Sequence, residues 1–307
     1  MATTLIDTPD QLPPALKASL MRASKNGVVT LAYSGGLDSR FLAFVAKRLG
    51  FSVKLLHITG AHIAPSDTAE ALHYAKSMGL PIEVIHVDTT NLKTLITAGR
   101  ERCYVCKKYL FETLLKAAKG YPLSDGTNAS DSLVYRPGRK ALEELGIHSP
   151  LAESGITKDE IRRLGRLLGF EAPDQAARPC LLTRFPYGVC PTQAQLKLVA
   201  GVEHWIATHP EYCTLRFRLR FPDGVHPTLH VEESSIKRVG LESLEVLKVK
   251  LRQLFKPQLD QLTIATSHAF RLLRSPIKPP QSPPPRGLFI WAQMRKSPEA
   301  VAFRGSL

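Results

Sequence analysis

LAYSGGLDSRF, residues 31–41, sets a Ser-Gly-Gly turn between an apolar run and an Asp-Ser pair. Upstream, VVTLAYS is short, apolar and β-branched, which reads as a buried parallel strand. Downstream, SRFLAFVAKRLG carries apolar residues at helical spacing and ends on glycine. A turn so placed, strand before and helix after, lies at the carboxyl end of the strand, where open α/β sheets bind ligands. Two glycines let backbone N–H groups close on an anion, and the helix N-terminus adds partial positive charge. Ser34 and Ser39 add hydroxyl donors, and Asp38 is an oxygen ligand suited to Mg²⁺. Taken alone, the hexapeptide reads equally well as a capped turn; its position favours a phosphate grip. The spacing fits neither G-x-x-x-x-G-K-[ST] nor G-x-G-x-x-G, so neither a P-loop NTPase nor a Rossmann dehydrogenase is indicated.

Working outward, VKLLHIT and IEVIHVD read as further strands, separated by the helix TAEALHYAKSMG. YLFETLLKAAKG is a helix, and YPLSDGTN a strand running into a loop. One helix per crossover predicts an α/β fold with a doubly wound parallel sheet. TKDEIRRLGRLLGF follows, with Thr157 and Glu160 spaced as a capping box. Beyond it, RPCLLTRFPYGVCPT reads as loop, QLKLVAGVEHWIATH as helix, TLRFRLRF and TLHVEE as strands, and LESLEVLKVKLRQLF as helix. We therefore expect a first domain over residues 1–170, a smaller α+β domain over 171–268, and a Pro-rich basic tail over 269–307. The tail is expected to be extended and flexible.

The 307 residues carry 41 Lys+Arg against 27 Asp+Glu, a net charge of +14 that suits polyanionic partners. No apolar run approaches membrane-spanning length, and the N-terminus lacks a basic and an apolar leader region, so a cytoplasmic protein without membrane partners is expected. Five cysteines, Cys103, Cys106, Cys180, Cys190 and Cys213, are an odd count that argues for thiol chemistry or metal binding over a disulfide framework. Cys103 and Cys106 form a C-x-x-C just ahead of a helix that could be half a zinc site, a redox couple or buried helix-start residues; with no second pair at zinc-ribbon spacing, the structural role is the one expected. The ten histidines include no H-E-x-x-H pair, so no histidine metal site is expected.

With Leu37 in its variable slot, SGGLDS resembles the SGGxDS motif of the PP-loop ATP pyrophosphatases, which split ATP between its α and β phosphates and adenylate a substrate. RCYVCKKYLF (102–111), DGTNASD (125–131), YRPGRKALEELGIHSPL (135–151) and PCLLTRFPYG (179–188) resemble one family of that superfamily. This is the LarE-like sulfur-insertion family, which makes the thiocarboxylates of the nickel-pincer nucleotide cofactor. The resemblance spans about residues 12–240 and rests on several ordered motifs. It implies that Ser34, Gly35, Gly36, Asp38 and Ser39 hold ATP phosphates and Mg²⁺. His57 and Thr59 would lie beside adenine, and Gly126, Thr127 and Asn128, after Asp125, would line the nucleotide pocket. Arg136, Arg184, Arg216 and Arg218 would receive a small anionic nucleotide substrate. Two arginines two apart on a strand share a face and can converge on one anion, although alternate arginines also suit a solvated face. The sequence departs from the family at DQAARP before the cysteine loop and at FPDGVHP after the arginine strand.

Cys180 matches the family's reactive cysteine, and Arg178 and Arg184 beside it are expected to lower its pKa. The resemblance implies acyl adenylation of a pyridinium carboxylate, displacement of AMP by sulfur, and carbon–sulfur cleavage. The sulfur is either Cys180's own or comes from a [4Fe–4S] cluster held by Cys180, Cys190 and Cys213, and the reading leans to the cluster. A homo-oligomer, and contact with other nickel-pincer biosynthesis proteins, would follow by the same resemblance. The rival readings are a PP-loop tRNA-thiolation enzyme, an NAD- or GMP-synthetase-like enzyme needing no thiol, and a non-enzymatic module that binds ATP or AMP. No RNA-binding motif supports the first of these, and nucleic acid is not expected as a partner.

Overall fold

The computed structural model describes residues 11–87, 98–133 and 137–267, so Arg136 and the 269–307 tail lie outside the described residues. Strand β1 (Val28–Ala32) carries three fully buried central residues, as a strand covered on both faces must. The SGGLDS turn leads from it into α1's successor: α1 (Pro14–Arg22) precedes the strand and α2 (Leu37–Arg48) follows it. β2 (Ser52–Thr59), α3 (Pro65–Ser77) and β3 (Ile82–His86) come next. A helix α4 (Arg102–Ala118) then leads to the two-residue β4 (Leu123–Ser124). The four strands are parallel in the order β3-β2-β1-β4. The predicted α/β fold is therefore present.

Strand alternation sorts the core. Val29, Leu31, Val53 and Leu55 face one layer built from α1, α2 and α3. Leu56 and Ile58 face the other, where Phe111 and Leu114 of α4 cover them. Each such side chain contributes about 1.5–3 kcal/mol of burial, which fixes the helices against the sheet. Because β2 lies on one side of β1 and β4 on the other, the chain reverses its winding beside β1. The crevice at that switch point is where this architecture binds ligands. SGGLDS leaves β1 there, and DGTN leaves β4.

Helices α5 (Pro137–Glu144), α6 (Pro150–Glu153) and α7 (Lys158–Leu167) complete this half. Thr157 caps α7 by accepting the Glu160 N–H at 3.2 Å. The reciprocal half of the expected capping box is not made, because the Glu160 carboxylate binds Arg163 instead.

A 3₁₀ turn (Leu181–Arg184) opens the second half. α8 (Gln193–Thr208) starts with a complete capping box between Thr192 and Gln195. β5 (Phe217–Arg220), β6 (Thr228–Glu232), α9 (Glu233–Val239), α10 (Leu241–Leu254) and β7 (Thr263–Ser267) follow. β5 and β6 are antiparallel while β6 and β7 are parallel, so the sheet is mixed, with β7 an addition to the strands read from the sequence. Leu219, Leu229 and Val231 pack with Val199, Val202 and Ile206 of α8 in a separate core. No helix among the described residues is long and apolar enough to cross a membrane.

Candidate active site

A cavity of about 830 Å³ opens at the switch point and runs from the SGGLDS turn to the Cys180 turn. At one end stand Ser34, Gly36 and Asp38. Gly35 has φ +71°, and a Cβ on it would sit 2.5 Å from Ala71 Cβ, so the turn is pressed against α3. The Gly36 N–H donates to Ser34 Oγ at 3.3 Å, and Ser34 and Ser39 share a hydrogen bond of 3.0 Å. Asp38 accepts from Lys158 Nζ at 3.0 Å through Oδ2. Its buried Oδ1 has no hydrogen-bond partner among the described residues. That carboxylate oxygen beside a ring of hydroxyl and amide donors fits a hard cation paired with phosphate.

His57 is buried and lines the cavity. Its Nδ1 lies 2.9 Å from the Tyr33 carbonyl, which can only accept, so Nδ1 carries the proton. Nε2 then accepts from Thr68 Oγ1 at 3.1 Å. Burial lowers its pKa and keeps it neutral, so it acts as a fixed wall. Thr59 lines a neighbouring pocket instead. Gly126, Thr127 and Asn128 do not line the cavity; Ser130 and Asp131, further along the same loop, do. The loop braces the grip from behind. A Cβ on Gly126 would lie 2.7 Å from Ser39 N, and the Thr127 amide and hydroxyl both donate to Asp125.

At the other end, Cys180 caps the 3₁₀ turn, and the Leu181 N–H donates to the His62 carbonyl at 2.9 Å. Cys180 is solvent-accessible at the cavity wall, with protein atoms crowded round its sulfur. The expected lowering of its pKa is not found. Enclosure, with Cys103 next, pushes the Cys180 thiol up, against smaller opposing effects of Arg102 and Arg184. The two arginines expected to lower it are committed elsewhere. Arg178 turns to Gly35, Asp67 and Glu70. Arg184, 4% exposed, makes a two-pronged pair with Glu203 at 2.9 and 2.7 Å. Its Nη1 donates to the Pro179 carbonyl at 3.1 Å and to Thr183 Oγ1 at 2.8 Å. Arg184 is thus the clasp of the turn that carries Cys180.

Cys180, Cys190 and Cys213 are not brought together. Among the described residues no group of three or more His, Cys, Asp or Glu could hold a metal ion. Cys213 hydrogen-bonds the Pro210 carbonyl at 3.5 Å near the end of α8. The thiols near Cys180 are those of the C-x-x-C, which lies inside α4 and not ahead of it. Cys106 is pushed up to about 12 by burial, then by Cys180 and Cys103. Sequence spacing could not show this, because the contact spans some seventy residues of chain.

The arginine pair also shifts by one step. Arg216 precedes β5, is 66% exposed and pairs with Glu232 at 3.5 Å, outside the cavity. Arg218 and Arg220 line it, both with pKa lowered by burial and by Arg184. Three guanidiniums crowd one wall there. Arg220 shares the alternate phase of TLRFRLRF, so the sequence held the signal. Lys158, the first residue of α7, was not singled out by any motif.

No family model matches the chain. It is 37% identical over 180 residues, 57% of this chain and 67% of the relative, to the uncharacterized protein slr1717 of Synechocystis sp.. It is 30% identical over 236 residues to the uncharacterized protein MJ0830 of Methanocaldococcus jannaschii, covering 76% of this chain and 88% of that one. The chain belongs to their family. A third relative, 28% identical over 196 residues, is the pyridinium-3,5-bisthiocarboxylic acid mononucleotide synthase of Lactiplantibacillus plantarum. That match covers 62% of this chain and 71% of the synthase, and it supports a LarE-like family whose kinship points to an enzyme. In this chain the cavity joins the SGGLDS turn, the Cys180 thiol and a wall of arginines.

Proposed function

We propose that the protein is an ATP-dependent sulfur-insertion enzyme acting on a carboxylated pyridinium mononucleotide. One observation carries the reading: the SGGLDS turn, the Cys180 thiol, Arg218 and Arg220 all line one cavity. Ser34, Gly36 and Asp38 would seat the triphosphate, with Mg²⁺ on the open Asp38 oxygen to offset phosphate charge. Arg218 and Arg220 would receive the phosphate and carboxylate of the substrate. The substrate carboxylate attacks the α phosphorus and pyrophosphate leaves, giving an acyl-adenylate. The Cys180 sulfur attacks the acyl carbon, AMP leaves, and a thioester joins substrate to protein. Removal of the Cys180 α proton breaks the carbon–sulfur bond, leaving thiocarboxylate on the substrate and dehydroalanine in the chain.

The test is intact-protein mass spectrometry after incubation with ATP, Mg²⁺ and a pyridinium dicarboxylate mononucleotide. Loss of the mass of one H₂S, mapped to Cys180, is expected. Thiolated product with unchanged protein would assign the sulfur to another donor, and pyrophosphate release without any thiolation would sink the sulfur reading.

A further inference from the structure

The segment before Cys180 is tied to the grip at a single peptide. The Gly35 carbonyl accepts from Arg178 Nη2 at 2.8 Å and from Gln175 Nε2 at 3.3 Å. That carbonyl and the Gly36 N–H belong to the same planar peptide unit, so holding one aims the other. The Gly36 N–H points to Ser34 Oγ, and both residues line the cavity. Gly35 lies so close to α3 that an added Cβ would stand 2.5 Å from Ala71 Cβ. Arg178 is itself held from the far side by Asp67 and Glu70 of α3. Gln175 is gripped in turn by Arg40 Nη1 at 3.0 Å. Two residues beyond Arg178 stands the thiol.

We propose that Arg178 is a positioning residue coupling the 35–36 peptide to Cys180, so that a nucleoside triphosphate seated at the turn changes the sulfur's reactivity. The proposal rests on the nucleotide reading above. When phosphate takes the Gly36 N–H from Ser34, the peptide plane turns, its carbonyl shifts, and the 175–180 segment is drawn in around the thiol. Sulfur is thereby guarded until the nucleotide is spent.

The experiment measures iodoacetamide labelling of Cys180, read by peptide mass, with and without α,β-methylene-ATP and Mg²⁺; calorimetry measures binding of the same nucleotide. In the native protein the nucleotide should slow Cys180 labelling by about fivefold or more, the low end of ordinary site–site coupling. Arg178→Met, at a nucleotide concentration that calorimetry shows to saturate the variant, should lose the slowing. A full response persisting in Arg178→Met would mean simple shielding by the ligand and overturns the proposal. Nucleotide binding with no response in the native protein overturns it too. Failure of the native protein to bind the nucleotide would instead overturn the nucleotide reading and the coupling with it. Should Arg178→Met not fold, Arg178→Lys keeps the charge between Asp67 and Glu70 but loses the fork, and should show less than half the response.

Discussion

Gly35→Ala and Gly36→Ala, neighbours in one motif, should differ sharply in cost. Gly35 holds φ +71°, a conformation that costs a residue with a Cβ about 1–2 kcal/mol. The new Cβ would also meet Ala71 Cβ at 2.5 Å and its backbone Cα at 2.7 Å. Overpacking against backbone that cannot yield adds about 1–3 kcal/mol. The sum, about 2–5 kcal/mol, is a large share of the roughly 5–15 kcal/mol that holds a domain folded. Gly36 has φ −78° and ψ 165°, and its Cβ would meet only Ser34 Oγ at 3.4 Å. There alanine loses a little as a helix cap and gains a similar amount by restricting the unfolded chain, so the net is about 0.5 kcal/mol or less. Urea denaturation with matched m-values measures both. If Gly35→Ala falls within about 1 kcal/mol of Gly36→Ala, the strain-and-contact reasoning is wrong.

Other outcomes follow from the same geometry. Arg220→Ala and Arg218→Ala should each weaken binding of a pyridinium carboxylate mononucleotide by about 10–100-fold, the worth of a charge-assisted contact, while Arg216→Ala changes it by less than about threefold; calorimetric titration separates them. Glu203→Ala leaves Arg184 buried without its carboxylate and should destabilise by about 3–5 kcal/mol in thermal or denaturant unfolding. His62 is 2% exposed, and burial holds its pKa down at about 4 against 6.5 when unfolded. Between those values the unfolded chain binds the proton and the native one does not, so stability falls as pH drops through that window, by up to about 3 kcal/mol. His62→Leu should flatten that part of the stability–pH curve, and an unchanged slope would contradict the assignment.

The periodicity of residues 28–124 was enough to specify strands, crossover helices and the position of the SGGLDS turn, because strand and helix repeats are local properties. Four sequence motifs also sufficed to point to the family. Which side chains meet was not local. Arg178 and Arg184, near Cys180 in sequence, pair with carboxylates on α3 and α8, and burial outweighs the lowering that Arg184 still exerts, so the thiol's pKa rises instead of falling. Cys103 and Cys106 reach Cys180 only because α4 packs beside the 3₁₀ turn, which no spacing rule could reveal. The arginine strand was legible, but whether it offers Arg216 or Arg220 depended on where β5 enters the sheet. Sequence set the SGGLDS turn and singled out Cys180. Tertiary packing alone decided their company, since charge pairing and burial act through space and not along the chain.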